Sequence, residues 1–235
     1  MKILSIGNSF SVDAQHYLYE LGRANGVKIK AANLYIGGCT LRLHYLNMLD
    51  DKEAYQLFIN GHPTGVFVSI RELLASDDWD IITIQQASHQ SFNFDNYIPY
   101  IDELADYVRT YCPKSKIYIH ETWSYENESE RLLSRGFATS SDMFKAMKEA
   151  YATAKERISA DGIIPSGTAM QMAQDMGIKV HRDTFHASYG FGRYLLSSVW
   201  LTTLGVNVTE RITPDAPITE QEYQIIDEIV AKIKE

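Results

Sequence analysis

The chain has 235 residues, 45% of them hydrophobic and 22% charged, which excludes a disordered, collagen-like or coiled-coil protein. Its 22 Lys and Arg against 30 Asp and Glu give a formal net charge of -8. That sign argues against nucleic acid or an anionic membrane surface as partner, because phosphate binding needs clustered cations.

Lys2 to Ile6 reads as a buried strand, followed by the turn Gly7-Asn8-Ser9-Phe10-Ser11 and a helix capped by Asp13 that runs to about Gly26. Val27 to Tyr35 reads as the second strand, closed by Gly37-Gly38. Tyr55 to Asn60 and Val66 to Ile70 flank Gly61-His62-Pro63-Thr64-Gly65 as a hairpin, an insertion near 54–70. Asp80 to Gln85 is β-branched and reads as a central strand. Asp95 to Tyr111 repeats apolar residues at helical spacing, and Lys116 to His120 is the next strand. Met143 to Ile158 reads as a helix and Gly162 to Pro165 as a brief strand. Ala187 to Leu204 and Thr219 to Lys234 close the chain as helices. This alternation predicts an α/β fold in three layers, a mostly parallel sheet with helices on both faces and ligands at the carboxyl ends of its strands. No repeat or linker interrupts it, so 1–235 reads as one domain.

No apolar stretch approaches the ~20 residues of a membrane span, and the run after Met1-Lys2 is too short for the apolar core of a secretory leader. The expected location is cytoplasmic as the sequence stands, and secreted or periplasmic if a leader preceded it. Cys39 and Cys112 cannot build a disulfide framework. His16, His44, His62, His89 and His181 show no metal-binding spacing and read as surface or supporting residues.

Three stretches could carry chemistry. Ser9 follows a buried strand and precedes a helix, so it could attack an acyl carbon if a base stood beside it; the plainer alternative is a helix cap. In Asp183-Thr184-Phe185-His186 the carboxylate can orient the imidazole, or simply cap the next helix. His120-Glu121-Thr122-Trp123 ends a strand, where Trp123 could stack on a sugar ring; the plainer alternative is a structural His beside a solvated Glu.

Gly7-Asn8-Ser9-Phe10-Ser11 near the start and Asp183-x-x-His186 near the end together resemble the SGNH, or GDSL, hydrolase superfamily. The ensemble is also similar to a bacterial SGNH-like family labelled a domain of unknown function. The resemblance implies a flavodoxin-like α/β/α fold in which Ser9 is the nucleophile, His186 the base and Asp183 its orienting acid. It implies an oxyanion hole from the amides of Ser9 and Gly38, with Gly37 as alternative to Gly38. Gln85, or alternatively Gln86, would donate the third hydrogen bond. Each such donor is worth about 3–4 kcal/mol in a transition state. Gly38 would have to lack a Cβ so that substrate can approach. Gln86, His120 and Trp123 would contact the substrate. The implied activity is hydrolysis of short acyl esters, O-acetyl groups on carbohydrates foremost, without cofactor or metal. The alternative is a non-catalytic module binding carbohydrate or an anion on the same fold. The sequence sets no oligomeric state.

Overall fold

The computed structural model describes residues 1–234. β1 (Lys2–Gly7) is buried from Ile3 onward, as a central parallel strand covered on both faces must be. It feeds α1 (Ser9–Ala14) and α2 (Leu18–Ala24), two short helices where one long helix is predicted. Asn8, not Asp13, caps the first, its Oδ1 accepting from the Phe10 amide at 3.0 Å. Asp13 cannot cap, because both its oxygens are engaged by arginines far along the chain. β2 (Lys30–Tyr35) begins later than the predicted Val27.

α3 (Leu41–Leu49) occupies a stretch in which the sequence suggests no element. Its buried face carries His44 and Asn47 beside Leu41 and Met48, so no apolar stripe advertises it. β3 (Tyr55–Ile59) and β4 (His62–Val68) form an antiparallel hairpin. Its turn is Asn60-Gly61, both with left-handed backbone, rather than the five residues Gly61 to Gly65. Pro63 belongs to β4, the outer strand, where a missing N–H is harmless. The predicted strand to Ile70 stops at Val68, because Ser69 and Glu72 cap α4 (Ile70–Ala75) reciprocally.

β5 (Ile81–Ile84) is fully buried. Instead of one helix from Asp95, a 3₁₀ turn at Phe94–Asn96 is followed by α5 (Tyr100–Tyr111), which starts just after Pro99. β6 (Lys116–His120), α6 (Glu130–Leu133), α7 (Ser140–Arg157), β7 (Gly162–Ile164), α8 (Ser166–Asp175), α9 (Phe191–Thr203) and α10 (Glu220–Lys234) complete the chain.

The strands lie in the order β4-β3-β2-β1-β5-β6-β7. All neighbours are parallel except β2 with β3 and β3 with β4. The chain moves one way from β1 to β2 and the other way from β5 through β6 to β7. Right-handed crossovers therefore place α1 and α2 on one face, with α9 and α10, and α5 on the other, with α3 and α4. The direction reverses between the adjacent strands β1 and β5, the place where open α/β sheets bind ligands.

Glu121, just past β6, is 2% exposed rather than solvated. Its carboxylate accepts from the amide and hydroxyl of Thr168 at 2.7 and 2.9 Å, and its carbonyl accepts from the Gly167 amide. It thereby caps α8, which Pro165 leaves without a side-chain cap. Burial pushes its pKa up to about 7 against the Thr168 hydrogen bonds, which pull it down. Below the ordinary value of 4.5 the group is protonated folded or unfolded. Between there and pH 7 the unfolded chain ionises first, so the folded state loses about 3 kcal/mol as pH rises. Glu121→Gln is expected to remove that loss. Urea unfolding at both ends of this range should show the wild type weakening relative to the variant; parallel pH profiles would refute the assignment.

Candidate active site

The turn after β1 is built to be rigid. A Cβ on Gly7 would lie 2.1 Å from Ser11 Oγ, so glycine lets that hydroxyl dock under the strand end. Ser11 Oγ accepts from the Asn8 amide at 3.1 Å. Asn8 then ties three elements together: its Nδ2 donates to the Cys39 carbonyl at 3.2 Å, and its Oδ1 also accepts from Gln85 Nε2 at 2.8 Å. Ser9, the first residue of α1, is left facing the cleft.

The loop before α9 brings His186 to it. His186 Nε2 stands 2.9 Å from Ser9 Oγ, and Nδ1 stands 2.8 Å from Asp183 Oδ2. Asp183 Oδ1 accepts from the His186 amide at 2.9 Å. An imidazole whose Nδ1–H points at a carboxylate presents Nε2 as the acceptor for the serine proton. Burial raises the Asp183 pKa, but the side-chain and backbone hydrogen bonds from His186 outweigh it and hold the carboxyl below its ordinary value. Thr184, between them, has φ of 72°. A β-branched residue there costs roughly 1–3 kcal/mol and must be held by its surroundings. The Glu126 amide donates to its carbonyl at 2.7 Å, and Trp123 Nε1 donates to the Phe185 carbonyl at 2.8 Å.

Ser9, Asp183 and His186 are thus brought together, while four other expected site residues turn inward. Gln85 is 2% exposed; besides its bond to Asn8, its Oε1 accepts from His120 Nδ1 at 2.6 Å. Its amide supports the turn that carries Ser9, and Gln85 is not among the residues lining the cleft. Gln86 is fully buried, accepting from the amides of Leu41 and Ala87 and donating to the Asn96 carbonyl. Neither glutamine lines the cleft, so the expected third oxyanion donor is not among the groups that the structure places there. His120 is fully buried; its Nε2 accepts from Ser166 Oγ at 3.1 Å, and burial pushes its pKa down to about 3, so it stays neutral. Trp123 is fully buried with its ring 4.2 Å from that of Phe10, so it braces the His186 loop and cannot stack on a sugar. His44 and His181, expected as surface or supporting residues, are buried.

The amides of Ser9 and Gly38 make no hydrogen bond among the described residues, and both residues line the cleft. A Cβ on Gly38 would meet nothing within 4 Å. Its left-handed backbone, φ +62°, itself favours glycine there. The cleft holds about 580 Å³, with Gln56 and Phe58 of the hairpin on one wall and Tyr125 and Phe185 on the other. A larger hollow of about 810 Å³ lies at the amino ends of β5 and β6, among Asp77, Trp79 and Lys116, away from Ser9 and His186.

Residues 2–227 match the family described as Domain of unknown function (DUF4886). The chain belongs to the DUF4886 family. A DUF4886 protein from Bacteroides uniformis is 31% identical, covers 99% of this chain and 93% of its own, and superposes with a TM-score of 0.91. A GDSL-like lipase from Parabacteroides merdae, 15% identical, covers 88% of this chain and 96% of its own at a TM-score of 0.59. An acetylxylan esterase from Geobacillus stearothermophilus, 14% identical, covers 90% and 97% at 0.58. No curated protein matches the chain. The DUF4886 chain therefore has the SGNH/GDSL hydrolase fold: a mostly parallel seven-stranded sheet between helical layers. No helix is long and apolar enough to cross a membrane among the described residues.

Sequence reasoning also passed over part of this DUF4886 cleft: Asp13, Arg131, Arg182 and Arg193 line it. Arg182 precedes Asp183 directly, and that adjacency was the available signal. Asp13 is 1% exposed; its oxygens accept from Arg182 Nη1 and Arg193 Nε, each at 2.8 Å.

Proposed function

We propose that this protein is a serine ester hydrolase that removes short acyl groups, O-acetyl groups of carbohydrates foremost. The observation that carries the reading is the Ser9–His186–Asp183 relay, at 2.9 and 2.8 Å, in an open cleft at the strand ends. Ser9 Oγ attacks the acyl carbon while His186 Nε2 takes its proton. The resulting oxyanion is met by the Ser9 and Gly38 amides. Protonated His186 then gives its proton to the departing alcohol, leaving the acyl group on Ser9. Water, deprotonated by His186, attacks this acyl-enzyme; as the bond from the acyl carbon to Ser9 Oγ breaks, His186 returns the proton to Oγ and the acid leaves. Asp183 stays ionised throughout and stabilises the imidazolium. The reaction so written needs neither cofactor nor metal. A cleft of about 580 Å³ has room for one or two sugar units, and the acetylxylan esterase with the same fold supports the carbohydrate reading.

A fluorophosphonate probe tests the proposal together with turnover of 4-nitrophenyl acetate. Ser9 should label in wild type and not in His186→Ala, because only a serine with a base beside it is activated. An unlabelled Ser9 with no ester turnover would leave the same cleft as a binding module for carbohydrate or an anion.

A further inference from the structure

The cleft has a charge that its relay does not use. The chain is acidic overall, at -8, yet the cleft is lined by Arg131, Arg182 and Arg193 against the single carboxylate of Asp13. Asp13 neutralises one of the three. Asp183, held by His186, also stands 4.0 Å from Arg182 Nε, and Asp215, hydrogen-bonded by His16 and Tyr17, feels the Arg193 charge, so Arg131 is the cation left without a carboxylate partner among the described residues. The Arg182 and Arg193 side chains are only 19% and 14% exposed and are held in place at the cleft wall by Asp13.

Their hydrogen bonds are also incomplete. A guanidinium has five N–H groups. Arg182 uses Nη1, on Asp13 and the Ala187 carbonyl, and its Nε stands 4.0 Å from Asp183 Oδ2. Arg193 uses Nε, so among the described residues its terminal fork has no acceptor. Arg131 lies with its guanidinium carbon 3.9 Å from the Phe185 ring centre, which fixes its plane beside His186. It makes no ion pair or side-chain hydrogen bond among the described residues.

We propose that the non-reacting part of the substrate carries a carboxylate, which these arginines hold while the ester sits at Ser9. A planar guanidinium fork matches a carboxylate with two parallel hydrogen bonds. The substrate class is then an O-acylated sugar acid rather than a neutral sugar. The inference rests on the esterase reading for the position of the ester, but its test does not.

Ser9→Ala protein, which cannot consume the ligand, is titrated calorimetrically with two methyl glycosides, those of mono-O-acetylated glucuronic acid and mono-O-acetylated glucose. They differ in a carboxylate for a hydroxymethyl group. The glucuronoside should bind at least about tenfold more tightly at low salt. The ratio should shrink toward one near 1 M salt and fall several-fold in Ser9→Ala/Arg131→Gln. Arg131 is the residue to change because it is exposed, whereas losing Arg182 or Arg193 strands the buried Asp13. Equal affinities, no binding of the glucuronoside, or a preference indifferent to both salt and Arg131 would overturn the proposal. Preferential binding by Ser9→Ala without hydrolysis by wild type would overturn the esterase reading alone.

Discussion

Ser9→Ala is expected to lower kcat/KM for a short acetyl ester by at least about four orders of magnitude while leaving the thermal midpoint nearly unchanged. In the proposed mechanism the hydroxyl is the reacting group, and without it His186 can at best activate water from a position set for a serine. Little stability is lost, because the orphaned His186 side chain, 18% exposed, can bond to solvent, and the turn is held by Asn8 and Ser11 instead. His186→Ala should cost a similar factor, and the double variant little more than either, since nucleophile and base act as one unit. The amides of Ser9 and Gly38 survive both changes and should keep a residual rate above that in water. Steady-state kinetics on one ester, with calorimetry on each variant, decides the matter. A Ser9→Ala enzyme retaining a hundredth of the wild-type rate would put the nucleophile elsewhere.

The second large effect is on stability. Asp13→Ala is expected to cost about 3–5 kcal/mol, because it leaves two adjacent and largely buried guanidinium groups without their carboxylate. For a chain of this length that lowers the midpoint on the order of 10 °C. The exposed pair Lys232–Glu228 on α10 sets the comparison: removing it should cost well under about 1 kcal/mol. Urea midpoints of Asp13→Ala and Glu228→Ala test the contrast, and equal losses would contradict it. Asp13→Ala should also slow the enzyme, since Arg182 anchors the segment that carries Asp183 and His186.

Local patterns made much of this legible. The apolar run into Gly7-Asn8-Ser9 marks a buried strand and a turn, and Asp183-x-x-His186 closes on itself within one loop. What the sequence hides is where a side chain points once the strand around it is fixed. Gln85 and Trp123 stand at the carboxyl ends of strands, where ligands bind, but a rotamer toward Asn8 in one case and Phe10 in the other takes them out of the cleft. Asp13 has the look of a cap because a helix follows it, and its real partners lie 169 and 180 residues away. α3 escaped notice because its buried face holds His44 and Asn47, whose Nδ1 and Nδ2 atoms meet the Tyr55 hydroxyl. The Asn60-Gly61 turn signal was present, but Pro63 pulled the reading toward a longer loop.

The hairpin of β3 and β4 has a consequence for how such a chain could diversify. It reaches the cleft through Gln56 and Phe58, yet it sits at the margin of the sheet, with most of β4 open to solvent. Ser9, by contrast, hangs from the middle of the sheet, on a turn locked to β5 by the Asn8–Gln85 bond and beyond it to His120 and Ser166. On the proposed esterase reading, selectivity and reactivity are therefore mounted on separable parts. Changes in hairpin length or sequence can reshape what enters without disturbing the Ser9–His186–Asp183 relay, whereas a single change among Asn8, Gln85 and His120 propagates straight to Ser9.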